Sequence, residues 1–385
     1  MSQSLVAMRS HRLCVVAILA AALAIAGCGS SSTNSSGGSI GKTTNTAGVK
    51  EATQWVNAHK SAPTSIGTFP VLPKTPPKGL TVAFLDCGVA GCTNNANGIR
   101  AASKLLGWKF DDVVSGETPE GIANAWNQIV TTKPTVVLAA GLTDKLFPHQ
   151  LAAYKKEGGI YVALSTPDKP GPTGPNAVVL GPPNYASNAE ATAKLAISQH
   201  GTSTNTLSFY TTDIPIQLVE HTAFVAAYKK LCPTCKLTSV PTLTTDVGSS
   251  LPNQVVTSVQ RNPGTNVVAM GFGDMTEGVP EALSAASLSD VSVVAPFADS
   301  GNLQHVKSGT SESETIAEPD FVSTWGAMYV ATRLVEGLAV PASISTDLLL
   351  PLQVITKQNV QPDVNATYIG DQNYVAQFKR LWKLP

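Results

Sequence analysis

The residues best equipped for chemistry are two close cysteine pairs, Cys87 with Cys92 and Cys232 with Cys235. Cys232-Pro233-Thr234-Cys235 has the spacing of a redox dithiol. A thiol–disulfide enzyme opens a helix with that motif after a strand. Here the motif follows a helical pattern and leads into a strand, so a structural disulfide is the stronger reading. Enzymatic use would require Cys232 to be exposed with a depressed pKa. The histidines (11, 59, 149, 200, 221 and 305) are scattered without metal-ligand spacing, and His221 and His305 read as surface or capping residues. Gly271-Phe272-Gly273 lacks the third glycine of a dinucleotide loop, and no Gly-Lys-Ser/Thr phosphate loop occurs. Gly37-Gly38-Ser39-Ile40-Gly41 matches a nucleophile elbow only in letters, because it lies in a Ser/Thr/Gly run rather than a strand-to-helix turn. No nucleophile, base and orienting group assemble, so neither catalysis nor a cofactor or metal is expected.

A second set of polar and aromatic residues follows short apolar runs. It comprises Asp86, Asn94, Asn95, Thr143, Asp144, Thr166 and Asp168, then Thr212, Asp213, Phe272, Asp274, Phe297 and Asp299. Carboxylates there can accept two hydroxyl hydrogen bonds or pair with an amine. Each Asp can equally cap a helix, because strand ends are also helix starts.

The elements that position these residues alternate. Thr81–Leu85, Trp108–Val114, Thr135–Ala139, Ile160–Leu164 and Asn176–Leu180 read as buried strands. Helical patterns fill the intervals, with Gly107 and Gly158-Gly159 as stops. A second series repeats the alternation, with strands at Thr206–Tyr210, Lys236–Val240, Asn266–Met270 and Val291–Pro296. The fold class is therefore α/β, with two doubly wound parallel-sheet lobes joined near Gly181-Pro182-Pro183. The tail holds a strand at Thr315–Glu318, a helix at Phe321–Glu336, a Pro-broken strand at Leu349–Thr356 and an amphipathic stretch at Tyr374–Trp382. It suits a chain returning to the first lobe and then the second. Trp126 and Trp325 lie on helices and read as core, although either could stack on a ligand ring.

The first residues set the compartment. Arg9, His11 and Arg12 precede an apolar run from Leu13 to Ala26, too short to span a bilayer comfortably. The run ends Ile25-Ala26-Gly27-Cys28 and resembles a bacterial lipobox, which makes Cys28 the lipidated first residue of the mature chain. Residues 29–47 read as a flexible tether, Val49–His59 as a short helix and Pro70–Pro77 as an extended lead-in. Outside the cell the remaining four cysteines allow three pairings, of which Cys87–Cys92 with Cys232–Cys235 is the simplest. Lys plus Arg and Asp plus Glu are 26 each, and loss of Arg9 and Arg12 leaves 26 − 2 = 24 basic residues. A near-neutral chain has no broad attraction for nucleic acid or anionic lipid. Its only membrane contact should be the lipid anchor.

Taken in order, several phrases resemble the type 1 periplasmic binding proteins of the sugar-binding kind. They are Thr81-Val82-Ala83-Phe84-Leu85 with Leu105-Leu106-Gly107-Trp108, Gly273-Asp274-Met275-Thr276-Glu277-Gly278, Thr315-Ile316-Ala317-Glu318, and Gln353 to Val360. The resemblance covers about residues 78 to 382. It implies two lobes on a three-segment hinge, a small molecule in the cleft, an ABC transporter permease as partner and a monomer. It also marks Glu318, at a crossover, as a ligand contact. The implied organisation is a leader at 1–27, lipidated Cys28 with tether and lead-in at 28–75, a first lobe of 76–182 with 318–350, and a second of 183–317 with 351–385. The second lobe lacks the expected Arg after Tyr210, has Phe272 in place of Asn and Ala298 close to an expected Asp. These departures point to a ligand less polar than a simple sugar. Delivery of that ligand to an importer is the leading reading, and a sensor presenting its bound form to a signalling partner is the alternative.

Overall fold

The computed structural model describes residues 40–88, 90–116 and 118–385. The leader, Cys14 and the lipidation site Cys28 lie outside the described residues. The first sheet contains β1 (Thr81–Asp86), β2 (Lys109–Val114), β3 (Val136–Ala140), β4 (Ile160–Leu164) and β5 (Ala177–Val179). All are parallel, in the order β2-β1-β3-β4-β5. The second contains β6 (Asn205–Thr211), β7 (Lys236–Thr242), β8 (Val267–Met270) and β9 (Ser292–Val294), in the order β7-β6-β8-β9. An antiparallel pair, β10 (Glu314–Ala317) and β11 (Gln353–Thr356), extends it through bonds such as Ile316 N–H to the Ala295 carbonyl at 2.9 Å.

The helices are α1 (Ile40–Ala58), α2 (Ala90–Leu106), α3 (Pro119–Thr132), α4 (Pro148–Lys156), α5 (Pro182–His200) and α6 (Pro215–Leu231). They continue as α7 (Leu251–Arg261), α8 (Val279–Ala285), α9 (Ser300–Ser308), α10 (Asp320–Val335) and α11 (Tyr374–Leu381). Successive strand residues face opposite ways, so each sheet feeds two cores. Val82, Phe84, Val136 and Leu138 pack on one face of the first sheet, and Ala83, Leu85, Val137 and Ala139 on the other. Val267 and Ala269 oppose Val268 and Met270 in the second. Trp126 and Trp325 are fully enclosed core residues.

Three expectations are corrected. The segment 28–75 is not all tether and lead-in. Ala52 and Val56 of α1 are buried against α5 and α6 of the second lobe, while Ile66, Phe69 and Leu72 enter the first lobe's core. Between them Lys60 crosses the β10–β11 pair, its carbonyl accepting from Gln353 at 3.0 Å and Asn359 at 2.6 Å. It forms a further strap between lobes. Second, 351–385 is divided. Gln353–Thr356 stays with the second sheet, but Tyr374, Phe378, Leu381 and Trp382 pack on Trp325 and Phe69 in the first lobe. An amphipathic pattern shows which face is apolar without saying what covers it. Third, His305 is not a surface residue. It bonds the fully buried Glu312 at 2.8 Å and faces Glu281 at 3.5 Å.

The docking of α1 depends on Gly48, where an added Cβ would lie 1.9 Å from the Leu231 carbonyl oxygen of α6. Gly48→Ala should therefore separate the two helices at a cost of about 1–3 kcal/mol. Thermal unfolding of the folded chain should shift down by several degrees. An unchanged midpoint would show that α1 does not pack there.

Candidate functional site

In open parallel sheets of this order, ligands bind beyond the strands' carboxyl ends, where the strand order reverses. The chain passes between the lobes at Gly181–Asn184, Glu318–Asp320 and Leu350–Leu352, and these passages meet. Glu318 is buried and accepts from Asn184 Nδ2 at 3.0 Å and Asn188 Nδ2 at 2.8 Å. The Asn184 side-chain oxygen in turn takes the Leu350 N–H at 3.4 Å. One carboxylate thus ties these three crossings, beside the Lys60 strap and the passage from β11 to α11. Its pKa rises to about 7, because burial outweighs the two amide bonds.

Further carboxyls surround it. Asp320 opens α10, and its pKa lies well above the ordinary carboxylate range through burial and the charges of Glu318, Asp299 and Asp274. Glu220 on α6 is buried, accepts from Gln217 Nε2 at 2.7 Å, and is raised by burial and by Glu318. Asp299 caps α9, accepting from Gly301 N–H at 2.7 Å and Asn302 N–H at 3.1 Å. Asp274 shares a hydrogen bond with Asp299. Burial and that neighbour push the Asp274 pKa far up.

Two contacts join the lobes across this cluster. The Gly91 N–H, in the first turn of α2, donates to the Asp274 carboxyl from the opposite lobe. The positive end of α2 favours that acceptor. Tyr185 on α5 hydrogen-bonds Ser165, beyond β4, and its ring lies 5.0 Å from that of Phe297, beyond β9. Ser165 (φ 55°), Leu180 (φ 58°) and Phe297 (φ 55°) all hold left-handed backbone at strand ends facing the junction. Such strain persists where surrounding packing fixes it.

The residues nominated from sequence divide by place. Asp274, Asp299, Phe297 and Glu318 gather at the junction, with Phe272 beside Gly273 on the same loop. Asp86 is buried and accepts the Gly88 N–H at 2.7 Å, close to the Cys87–Cys92 disulfide. Thr143, Asp144, Thr166 and Asp168 bond one another in the first lobe. Asp168 accepts from the Thr143 hydroxyl at 3.0 Å and Asp144 N–H at 2.7 Å, and its own N–H reaches Thr166 Oγ1 at 3.3 Å. Thr212 and Asp213 hold the chain after β7, through the Thr242 carbonyl and the Thr244 N–H. Asn94 accepts from Thr367 at 3.1 Å, and Asn95 is half-buried on α2. Glu220, Asp320, Gln217, Asn184, Asn188 and Tyr185 were not nominated. Their signal is polar residues three or four apart on otherwise apolar helical stretches. The Cys232–Cys235 disulfide forms as the local pairing, and Cys232 is 1% exposed, which removes the accessible thiol that a thiol–disulfide enzyme requires. Among the described residues no helix is long and apolar enough to cross a membrane.

No family model and no curated protein matches the chain. Solved structures do. A sugar ABC transporter protein from Yersinia enterocolitica subsp. enterocolitica 8081 superposes with a TM-score of 0.67 at 14% identity, covering 82% of this chain and 99% of its own. An ABC transporter solute binding protein from Agrobacterium vitis bound with alpha-D-tagatopyranose gives 0.65 at 17% identity, covering 76% and 99%. Another from the same organism with bound allitol gives 0.63 at 16%, covering 74% and 97%. The likeness establishes the fold, that of the type 1 periplasmic binding proteins.

The raised carboxyls carry a pH signature. Unfolded carboxyls ionise near pH 4, whereas folded Glu318 holds its proton to about 7. The folded state then binds more protons in that window, so stability falls as pH rises through it. The ligand-free protein should melt several degrees higher at about pH 6 than at about pH 8.5. Glu318→Gln, which keeps an acceptor for both asparagines, should flatten the curve and raise the midpoint at the alkaline end. A midpoint that rises with pH in the wild type would refute the assignment.

Proposed function

We propose that the protein is an extracytoplasmic solute-binding protein that closes on a small molecule between its lobes and presents it to the permease of an ABC importer. The observation that carries this reading is the pair of cross-lobe contacts, Gly91 to Asp274 and Tyr185 between Ser165 and Phe297. They are few, polar or aromatic, and lie at strand ends. That is the pattern of a joint that opens, rather than an apolar seal between permanently fused domains.

In the open form the Asp274–Asp299 pair and the Glu318–Asp320 crossing face solvent and receive the ligand. Closing the hinge brings the first turn of α2 onto Asp274, and Tyr185 and Phe297 cover the junction. Water leaves, and each hydrogen bond to the ligand strengthens in the drier surroundings. The ligand is held rather than transformed, since the carboxyls serve as acceptors and one proton is already shared between two of them. The type 1 fold and the solute-binding roles of its solved neighbours support this reading. Cys28 anchors the mature, monomeric chain.

Two measurements test it. Native mass spectrometry of gently purified protein should detect a co-purified small molecule that is lost on denaturation, and that molecule should raise the melting midpoint when added back. At 100 times its dissociation constant it would contribute about 2.7 kcal/mol. A protein without any adduct, and unmoved by a broad metabolite panel, would contradict solute capture. In the lipoprotein-processing host, labelled palmitate should enter the wild type and not Cys28→Ser. Equal labelling would contradict the anchor.

A further inference from the structure

The junction is rich in hydrogen-bond acceptors and poor in donors. Asp274, Asp299, Glu318, Asp320 and Glu220 come together there, and the charges acting on Glu220, Asp274 and Asp320 are those of other carboxylates. The ion pairs found among the described residues engage other groups. A second observation is independent of charge. Asn188 is wholly buried, yet its Oδ1 has no partner while its Nδ2 serves Glu318. Gln217, 3% exposed, repeats the arrangement, its Oε1 unpartnered while its Nε2 serves Glu220. Two buried amide oxygens beside two buried carboxyls lack donors, and an unmade bond of that kind costs about 1–3 kcal/mol.

Resting on the solute-capture reading, we propose that the ligand is an organic cation, a protonated amine whose ammonium lies among Asp274, Glu318 and Asp320 and whose carbon body lies against Phe297 and Tyr185. An ammonium offers donors only, which is what this set of acceptors lacks. Its charge offsets carboxylates that closure would otherwise leave desolvated and uncompensated. A neutral polyol brings as many acceptors as donors and no charge. The aromatic pair suits a cation, which ring faces attract. A metal ion fits less well, because a hard divalent cation draws several oxygens to within about 2.6 Å of itself. Among the described residues no three junction carboxylates converge closely enough to share one ion.

The test uses isosteric pairs that differ in charge. Putrescine is compared with 1,4-butanediol, phenethylamine with 2-phenylethanol, and glucosamine with glucose, by calorimetry and thermal shift, with calcium chloride as the metal arm. At least one amine should bind while its neutral partner does not. Asp274→Asn and Glu318→Gln should each weaken that amine about tenfold or more. Both variants should keep the wild-type circular dichroism and melt no lower without ligand, which separates lost binding from lost folding. Binding of a sugar or diol alone, or of calcium alone, overturns the cation assignment and leaves solute capture standing. Silence from every amine also overturns it. Silence from all three classes, with no co-purified molecule, removes both readings.

Discussion

A single buried carboxylate, Glu318, holds the architecture at its narrowest point. It lies where β10 gives way to α10, and it accepts from two asparagines one turn apart on α5. Asn184 carries the connection on to Leu350, so three of the passages between lobes share one hydrogen-bonded knot. A charge in that position is costly to bury, and two amide donors only partly offset the loss of water. The joint is therefore strong in geometry and weak in electrostatics. A hinge needs both properties, with crossings that keep their register while the parts around them move.

The sheets carry the remaining consequences. Their matching strand orders put two sets of strand ends face to face, and second-lobe acids meet those of the β10–α10 crossing there. Asp299 is satisfied locally as a helix cap, yet it also hydrogen-bonds Asp274. One side chain thus serves the fold and the junction together. The strap from α1 through Lys60 adds a constraint that the paired lobes alone would lack. Helix burial on the second lobe and Phe69 and Leu72 in the first lobe tie the hinge from outside.

The strands were plain in the sequence, because runs such as Val82–Leu85 and Val267–Met270 are short, apolar and bounded by turn residues. The length of α1 was hidden. Its first half is Ser/Thr/Gly/Asn-rich with low intrinsic helix preference, and docking on α5 and α6 supplies what propensity does not. Helix α9 escaped because only Leu303 and Val306 mark its apolar side along with a single Asp cap. At the junction, strand-end reasoning reached Asp274, Asp299 and Phe297, and the family resemblance marked Glu318. It passed over Glu220, Gln217, Asn184 and Asn188, which lie within helices, where a buried polar side chain looks like an exposed one until the partner surface is known. Asp86, Asp168 and Asp213 show the opposite: acids at strand ends whose bonds close on neighbouring loop backbone.

The account's central claim is that ionised carboxylates at the junction oppose closure and that neutralising them permits it. Small-angle scattering of the ligand-free protein at about pH 8.5 and about pH 5.5 reads this directly. A smaller radius of gyration at the lower pH is predicted, as the lobes fold together over protonated Asp274, Glu318 and Asp320. A radius that is the same at both values, or larger in acid while the protein stays folded, would contradict it.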